Sequence, residues 1–116
     1  MKILVVDDEI RIVDILVKFL ETKGLLMDHA LDGDKALSLI KEQDYDIVFL
    51  DMNMPGRTGL EITKYIKEKN MRTKVVILTG YLDLNEDFCK MFGADEYLEK
   101  PVDLKIIEEM VDKYKT

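Results

Sequence analysis

The sequence holds a single cysteine, Cys89, and a single histidine, His29. One cysteine excludes an internal disulfide and fits a reducing compartment. One histidine beside one cysteine is too few for a zinc site built from the usual ligands, and a Ser-His-Asp arrangement finds no support. Long apolar runs are missing as well. No stretch approaches the ~20 residues needed to cross a bilayer, so no membrane association is expected. No secretory leader is expected either, because Lys2 is followed by four apolar residues and then by Asp7, Asp8 and Glu9. A cytoplasmic location follows as the expectation. Excess positive charge is absent too: 17 basic against 24 acidic residues leave a net charge of −7. Direct nucleic-acid binding needs clustered Lys and Arg against the phosphates, so this balance argues against it.

What remains is a chain of 116 residues with 47% apolar content. That is the length of one ordinary domain, taken here as residues 1–116, large enough to bury a core without disulfides or metal staples. Three four-residue runs are purely apolar: Ile3 to Val6, Ile47 to Leu50 and Val75 to Leu78. Runs rich in Ile and Val that stop at a polar residue suit parallel strands covered on both faces. Leu26 to Ala30 and Glu96 to Glu99 mix polar and apolar residues and suit sheet edges.

Helical patterns lie between these runs. In Ile10 to Lys23 the polar residues Arg11, Asp14, Lys18 and Glu21 form one stripe. Apolar residues fill the rest, so this helix is expected to be well buried. Asp34 to Glu42 and Gly59 to Lys69 read as amphipathic helices. Leu104, Ile107, Val111 and Tyr114 mark a last helix, with Asp103 as its N-cap. Asn85 to Phe92 carries the weakest helical signal. The result is β-α repeated five times. It predicts a single five-stranded parallel sheet, order 2-1-3-4-5, flanked by five helices: a flavodoxin-like, doubly wound α/β fold.

In such sheets ligands bind beyond the carboxyl ends of the strands, where the strand order reverses. The first strand is followed there by Asp7, Asp8 and Glu9, and the third by Asp51, Met52, Asn53, Met54, Pro55 and Gly56. The fourth is followed by Thr79 and Gly80, and the fifth by Lys100 and Pro101. Each group has a plainer structural explanation. Asp8 suits a helix cap, Asp51 a turn, Thr79 a strand end and Lys100 a solvated surface. Together they point elsewhere. Carboxylates on adjacent strand ends raise one another's pKa. A hard cation such as Mg²⁺ and a nearby ammonium both relieve that repulsion. The same set suits phosphoryl transfer, in which a carboxylate is the nucleophile and the protein positions and neutralises the phosphoryl oxygens.

The segments Val5-Val6-Asp7-Asp8-Glu9, Leu50-Asp51-Met52-Asn53-Met54-Pro55-Gly56, Leu78-Thr79-Gly80 and Lys100-Pro101 resemble the receiver domain of bacterial two-component response regulators. Gly59 and the Gly93-Ala94-Asp95 turn fit the same pattern, and the resemblance covers essentially the whole chain. It implies that Asp51 is the phosphoacceptor for a sensor histidine kinase. It implies Mg²⁺ held by Asp8, Asp51 and the backbone carbonyl of Asn53, with Asp7 acting through water. Lys100 and the Thr79 hydroxyl would meet the phosphoryl group, and Lys100-Pro101 would be cis. By the same resemblance Tyr97 is the rotating switch residue. The output face is the fourth helix, fifth strand and fifth helix, addressed to a downstream partner or an output domain. Leu82, Leu84, Phe88 and Met91 offer more apolar surface than so short a helix needs, so some are expected to face a partner while at least half pack into the core. Tyr81 is expected to shield the acyl phosphate from water. The chain is then a switch that catalyses only its own phosphotransfer and dephosphorylation.

Other functions fit less well. A flavodoxin-like cofactor binder needs a phosphate-cradling loop after the first strand, where this chain has three acids. A Mg²⁺-dependent hydrolase with an Asp nucleophile needs a cap or substrate pocket for which there is little chain. A degenerate receiver is expected to lack one of Asp8, Asp51, Thr79 or Lys100, and all four are present. No output domain follows Thr116, so the chain is expected to be a stand-alone receiver or one domain of a longer regulator.

Overall fold

The computed structural model describes residues 1–52, 54, 56–69, 71–80 and 93–115. Strands β1 (Lys2–Val6), β2 (Leu26–Ala30), β3 (Ile47–Asp51), β4 (Lys74–Thr79) and β5 (Glu96–Glu99) form one sheet in the order β2-β1-β3-β4-β5. Every pair is parallel. Among the described residues the helices are α1 (Ile10–Glu21), α2 (Gly33–Glu42), α3 (Gly59–Glu68) and α4 (Leu104–Tyr114). The predicted helix over Asn85 to Phe92, with Cys89, lies outside the described residues, as do Leu82, Leu84 and Tyr81.

The apolar runs are buried because both sheet faces are covered. Successive strand side chains point to opposite faces, and the core divides accordingly. Leu4, Val6, Val48, Leu50, Val75 and Ile77 pack under Ala36 and Ile40 of α2 and Ile62 and Ile66 of α3. Ile3, Val5, Ile47, Phe49, Val76 and Leu78 pack under Val13, Leu16 and Leu20 of α1 and Ile107 and Val111 of α4. Burial of each such side chain contributes roughly 1.5–3 kcal/mol. The edge strands β2 and β5 are only partly covered, which is why their sequences mix polar with apolar residues.

α1 departs from the expectation of a well-buried helix. Only Val13, Leu16 and Leu20 are fully buried, while Ile10 and Ile15 are 62% and 54% exposed. A helix laid on a sheet buries one stripe, and the 3.6-residue period carries positions 10 and 15 away from it. The plainer alternative for Asp8, a cap on α1, does not hold. Glu9 occupies the N-cap of α1, and no side chain caps it. The other helix starts are closed by side chains. Asp32 accepts from Lys35 N–H at 2.8 Å, and Asp103 accepts from Lys105 N–H at 2.8 Å. Thr58 and Glu61 form a reciprocal capping box.

Three backbone hydrogen bonds set the rim at the carboxyl ends of the strands. Asp7 N–H donates to the Ala30 carbonyl at 3.2 Å, Met52 N–H to Leu78 at 2.9 Å and Lys100 N–H to Thr79 at 2.7 Å. Each extends a ladder one step past its strand. The functional side chains therefore start from ordered backbone rather than from free loops.

Candidate functional site

The strand order brings the ends of β1, β3, β4 and β5 together, and with them Asp7, Asp8, Asp51, Thr79 and Lys100. Carboxylate oxygens of Asp7, Asp8 and Asp51 lie within 4.8 Å of one another. Asp7 is fully buried, Asp51 is 6% exposed and Asp8 faces solvent. Thr79 is fully buried at the last position of β4. Lys100 reaches into the cluster, its Nζ 2.8 Å from Asp7 Oδ2 and 3.3 Å from Asp51 Oδ1. Its peptide bond to Pro101 is cis, as the sequence resemblance implied.

The three acids differ in how they are satisfied. Asp7 Oδ1 accepts the Glu9 N–H at 2.9 Å. Asp7 Oδ2 has the Lys100 ammonium 2.8 Å away and no other partner among the described residues. Asp51 is pushed up to about 6. Burial is the main cause and the Asp7 charge adds to it, while Lys100 pulls the other way. Burial lowers Lys100, but its contacts with Asp7 and Asp51 outweigh this and leave it above the ordinary lysine value. Asp7 and Asp51 thus share one ammonium, and Asp8 adds a third carboxylate beside them. The donor set is all oxygen, one buried oxygen has only the ammonium beside it among the described residues, and negative charge is in excess. These residues fit a hard divalent cation such as Mg²⁺.

β3 and α3 are joined so that the Asp51 carbonyl meets the start of α3. A methyl group added at Gly59 would stand 2.3 Å from the Asp51 carbonyl oxygen. Only glycine permits that approach. Within the first turn of α3 the Thr63 hydroxyl donates to the Gly59 carbonyl at 2.7 Å. Met52 and Met54 are buried in the core cluster shared with α2 and α3.

A sequence model described as the response regulator receiver domain matches residues 3–112. The chain belongs to the response regulator receiver family. The transcriptional regulatory protein ResD of Bacillus subtilis is 37% identical over 100 residues, covering 86% of this chain and 42% of ResD. The chain therefore spans less than half the length of that relative. The sporulation initiation phosphotransferase F of Bacillus subtilis is 36% identical over 115 residues, covering 97% of this chain and 92% of that protein. Among solved structures, the response regulator TrrA of Thermotoga maritima in complex with Mg²⁺-BeF is 37% identical, with a TM-score of 0.87 over 98% of each chain. Receiver domains are signalling switches of two-component systems, where they work with histidine kinases and output domains. No helix among the described residues is long and apolar enough to cross a membrane.

Within this receiver fold, Asp7, Asp8, Asp51, Thr79 and Lys100 converge where sequence reasoning placed them. Asn53 and Tyr81 lie outside the described residues. Tyr97 is half-buried on β5. Its ring packs against the core face shared with α2 and α3, and its hydroxyl donates to Glu99 Oε1 at 3.1 Å. His29 is exposed on the edge strand β2. One contact went unforeseen: Glu9 Oε1 stands 3.4 Å from Lys100 Nζ. Glu9 was legible only as part of the acidic run after β1, because its reach across to β5 is a tertiary fact.

Proposed function

We propose that this receiver accepts a phosphoryl group on Asp51 from the phosphohistidine of a sensor kinase. The observation that carries this reading is the site of Asp51: a nearly buried carboxylate whose Oδ1 lies 3.3 Å from the Lys100 ammonium and which is grouped with two further acids. An Asp51 carboxylate oxygen attacks phosphorus and forms the acyl phosphate. The P–N bond of the donor breaks, and its electron pair stays on the departing imidazole. Asp51 reacts as the anion, and its value near 6 leaves it mostly ionised at pH 7. Lys100 neutralises a phosphoryl oxygen, and the Thr79 hydroxyl meets another.

Asp8, Asp51 and the Asn53 backbone carbonyl would hold Mg²⁺, with Asp7 acting through water. The ion, when bound, supplies positive charge against the carboxylates and the incoming phosphoryl group. Phosphorylation then adds charge and acceptor oxygens at the rim and biases a two-state element. In our reading that element runs from Thr79 to Tyr97, and the signal leaves through the predicted helix over 85–92, β5 and α4. We read residues 1–116 as one receiver unit, placed in the cytoplasm, that turns over only its own phosphoryl group. Its target is a downstream protein or an output domain.

Intact-mass analysis tests this reading. With a small acyl phosphodonor and Mg²⁺ the chain gains one phosphoryl unit, and it gains none with EDTA. Turnover of many external phosphoesters, or no adduct at all, sinks the proposal.

A further inference from the structure

We propose that Glu9 is a positioning residue for Lys100: its carboxylate shares the ammonium with Asp7 and Asp51 in the resting protein and competes for it with a phosphoryl group on Asp51. The inference rests on the reading of Asp51 as phosphoacceptor. Lys100 Nζ has three carboxylate neighbours: Asp7 Oδ2 at 2.8 Å, Asp51 Oδ1 at 3.3 Å and Glu9 Oε1 at 3.4 Å. Two of these belong to the metal and phosphoryl chemistry, while Glu9 does not. Its side chain is 61% exposed and lies outside the group of Asp7, Asp8 and Asp51. It sits at the N-cap of α1 yet makes no capping hydrogen bond there. Its backbone N–H donates to Asp7 Oδ1, which pins the residue beside the cluster. The side chain is thus spared from helix capping and turned toward Lys100.

The consequence is electrostatic. Lys100 is the cation that a phosphoryl oxygen on Asp51 requires. A carboxylate on the solvent side of the ammonium draws it outward and adds one negative charge beside an incoming dianion. An exposed pair is weak, so the effect is a tuning of rate. Its expected size is roughly threefold, the scale of one like charge acting across a few ångströms in high dielectric. A hold of this kind relaxes in salt, because exposed charges are screened.

The test compares wild type with Glu9→Gln in two arms. In metal-free protein, the Lys100 ammonium is followed by ¹H–¹⁵N NMR. The proposal expects its signal to move in Glu9→Gln, and a capping role alone would leave it in place. In the second arm Mg²⁺ is present and acetyl phosphate is the donor. The KM for acetyl phosphate is expected to fall roughly threefold in Glu9→Gln at low salt and to converge with wild type at high salt. An unmoved Lys100 signal overturns the proposal, and so does an unchanged KM at low salt. Should wild type take up no phosphoryl group, the reading of Asp51 fails instead, and the NMR arm still decides whether Glu9 holds Lys100. Thermal melts of both proteins show whether any rate difference comes from misfolding.

Discussion

The backbone N–H of Lys100 donates to the carbonyl oxygen of Thr79 at 2.7 Å. This single ladder step past the end of β5 sets two groups of different chemistry on one rim. The hydroxyl of Thr79 is buried, and the ammonium of Lys100 extends from there to Asp7 and Asp51. The backbone that carries the cation is therefore joined to the backbone that carries the hydroxyl before any phosphoryl group arrives, which lowers the reorganisation demanded at transfer.

Removing that cation has a predictable cost. Asp7 is fully buried, and Lys100 is its nearest cation. Lys100→Met is expected to lower stability by about 1–3 kcal/mol at pH 7 in EDTA, less than for a fully buried pair because solvent still reaches the lysine. Mg²⁺ is expected to recover part of the loss. Urea unfolding with and without Mg²⁺ measures both. Equal stability of wild type and variant in EDTA contradicts the account.

Asp51 gives the metal-free protein a distinctive pH dependence. Its folded value of about 6 lies above its ordinary 3.8. Between those values the folded state binds more protons than the unfolded state. This group therefore makes stability fall as pH rises from about 4 to about 6. The span corresponds to about 1–3 kcal/mol at 1.36 kcal/mol per pH unit. Asp51→Asn is expected to remove that slope and to be the more stable protein at pH 7 without Mg²⁺. Melting temperatures across pH 4–7 in EDTA decide it, and parallel profiles for the two proteins would falsify the assignment.

Much of the fold was legible because burial on both faces leaves its mark in composition. The runs Ile3 to Val6, Ile47 to Leu50 and Val75 to Leu78 admit no polar residue, and all three are central strands. Asp7, Asp8, Asp51, Thr79 and Lys100 were legible because each stands at or just past the carboxyl end of a strand, so topology brings them together. Contacts made by side-chain reach were not legible. Lys100 lies closer to Asp7 than to Asp51, and Glu9 joins them, which depends on how one lysine extends across the rim. The exposure of Ile10 and Ile15 was hidden for a related reason. Apolar content reports what a helix can bury, whereas the angle at which α1 lies on the sheet decides what it does bury.

The joint between β3 and α3 predicts a large effect from one methyl group. Gly59→Ala places a carbon against the Asp51 carbonyl oxygen, where the nearest approach is 2.3 Å. Overpacking against backbone of this kind costs about 1–3 kcal/mol or more. Gly80→Ala is the matched control, because a carbon there meets nothing within 4 Å among the described residues, and its expected change is within about 0.5 kcal/mol. Denaturant midpoints compare the two directly. A Gly59→Ala protein as stable as Gly80→Ala contradicts the close approach.

Tyr97 separates switching from chemistry. Its ring belongs to the core face under α2 and α3, and its hydroxyl donates to Glu99 Oε1. Tyr97→Ala is expected to accept a phosphoryl group within about threefold of the wild-type rate. It is also expected to lose most of the phosphorylation-induced NMR shifts along β5 and α4. Full shifts in the variant remove Tyr97 from the proposed signal path. Tyr81→Ala tests the neighbouring expectation and should speed phosphate loss from Asp51.

The central claim is that Asp51 itself becomes the acyl phosphate. Borohydride reduces an acyl phosphate to an alcohol, so it converts a phosphorylated aspartate into homoserine. After reaction with acetyl phosphate and Mg²⁺, peptide mapping of borohydride-treated protein is predicted to find homoserine at position 51 alone, and none when EDTA replaces Mg²⁺. Homoserine at Asp7 or Asp8, or an unmodified Asp51 in protein that carries a phosphoryl group, would contradict the account.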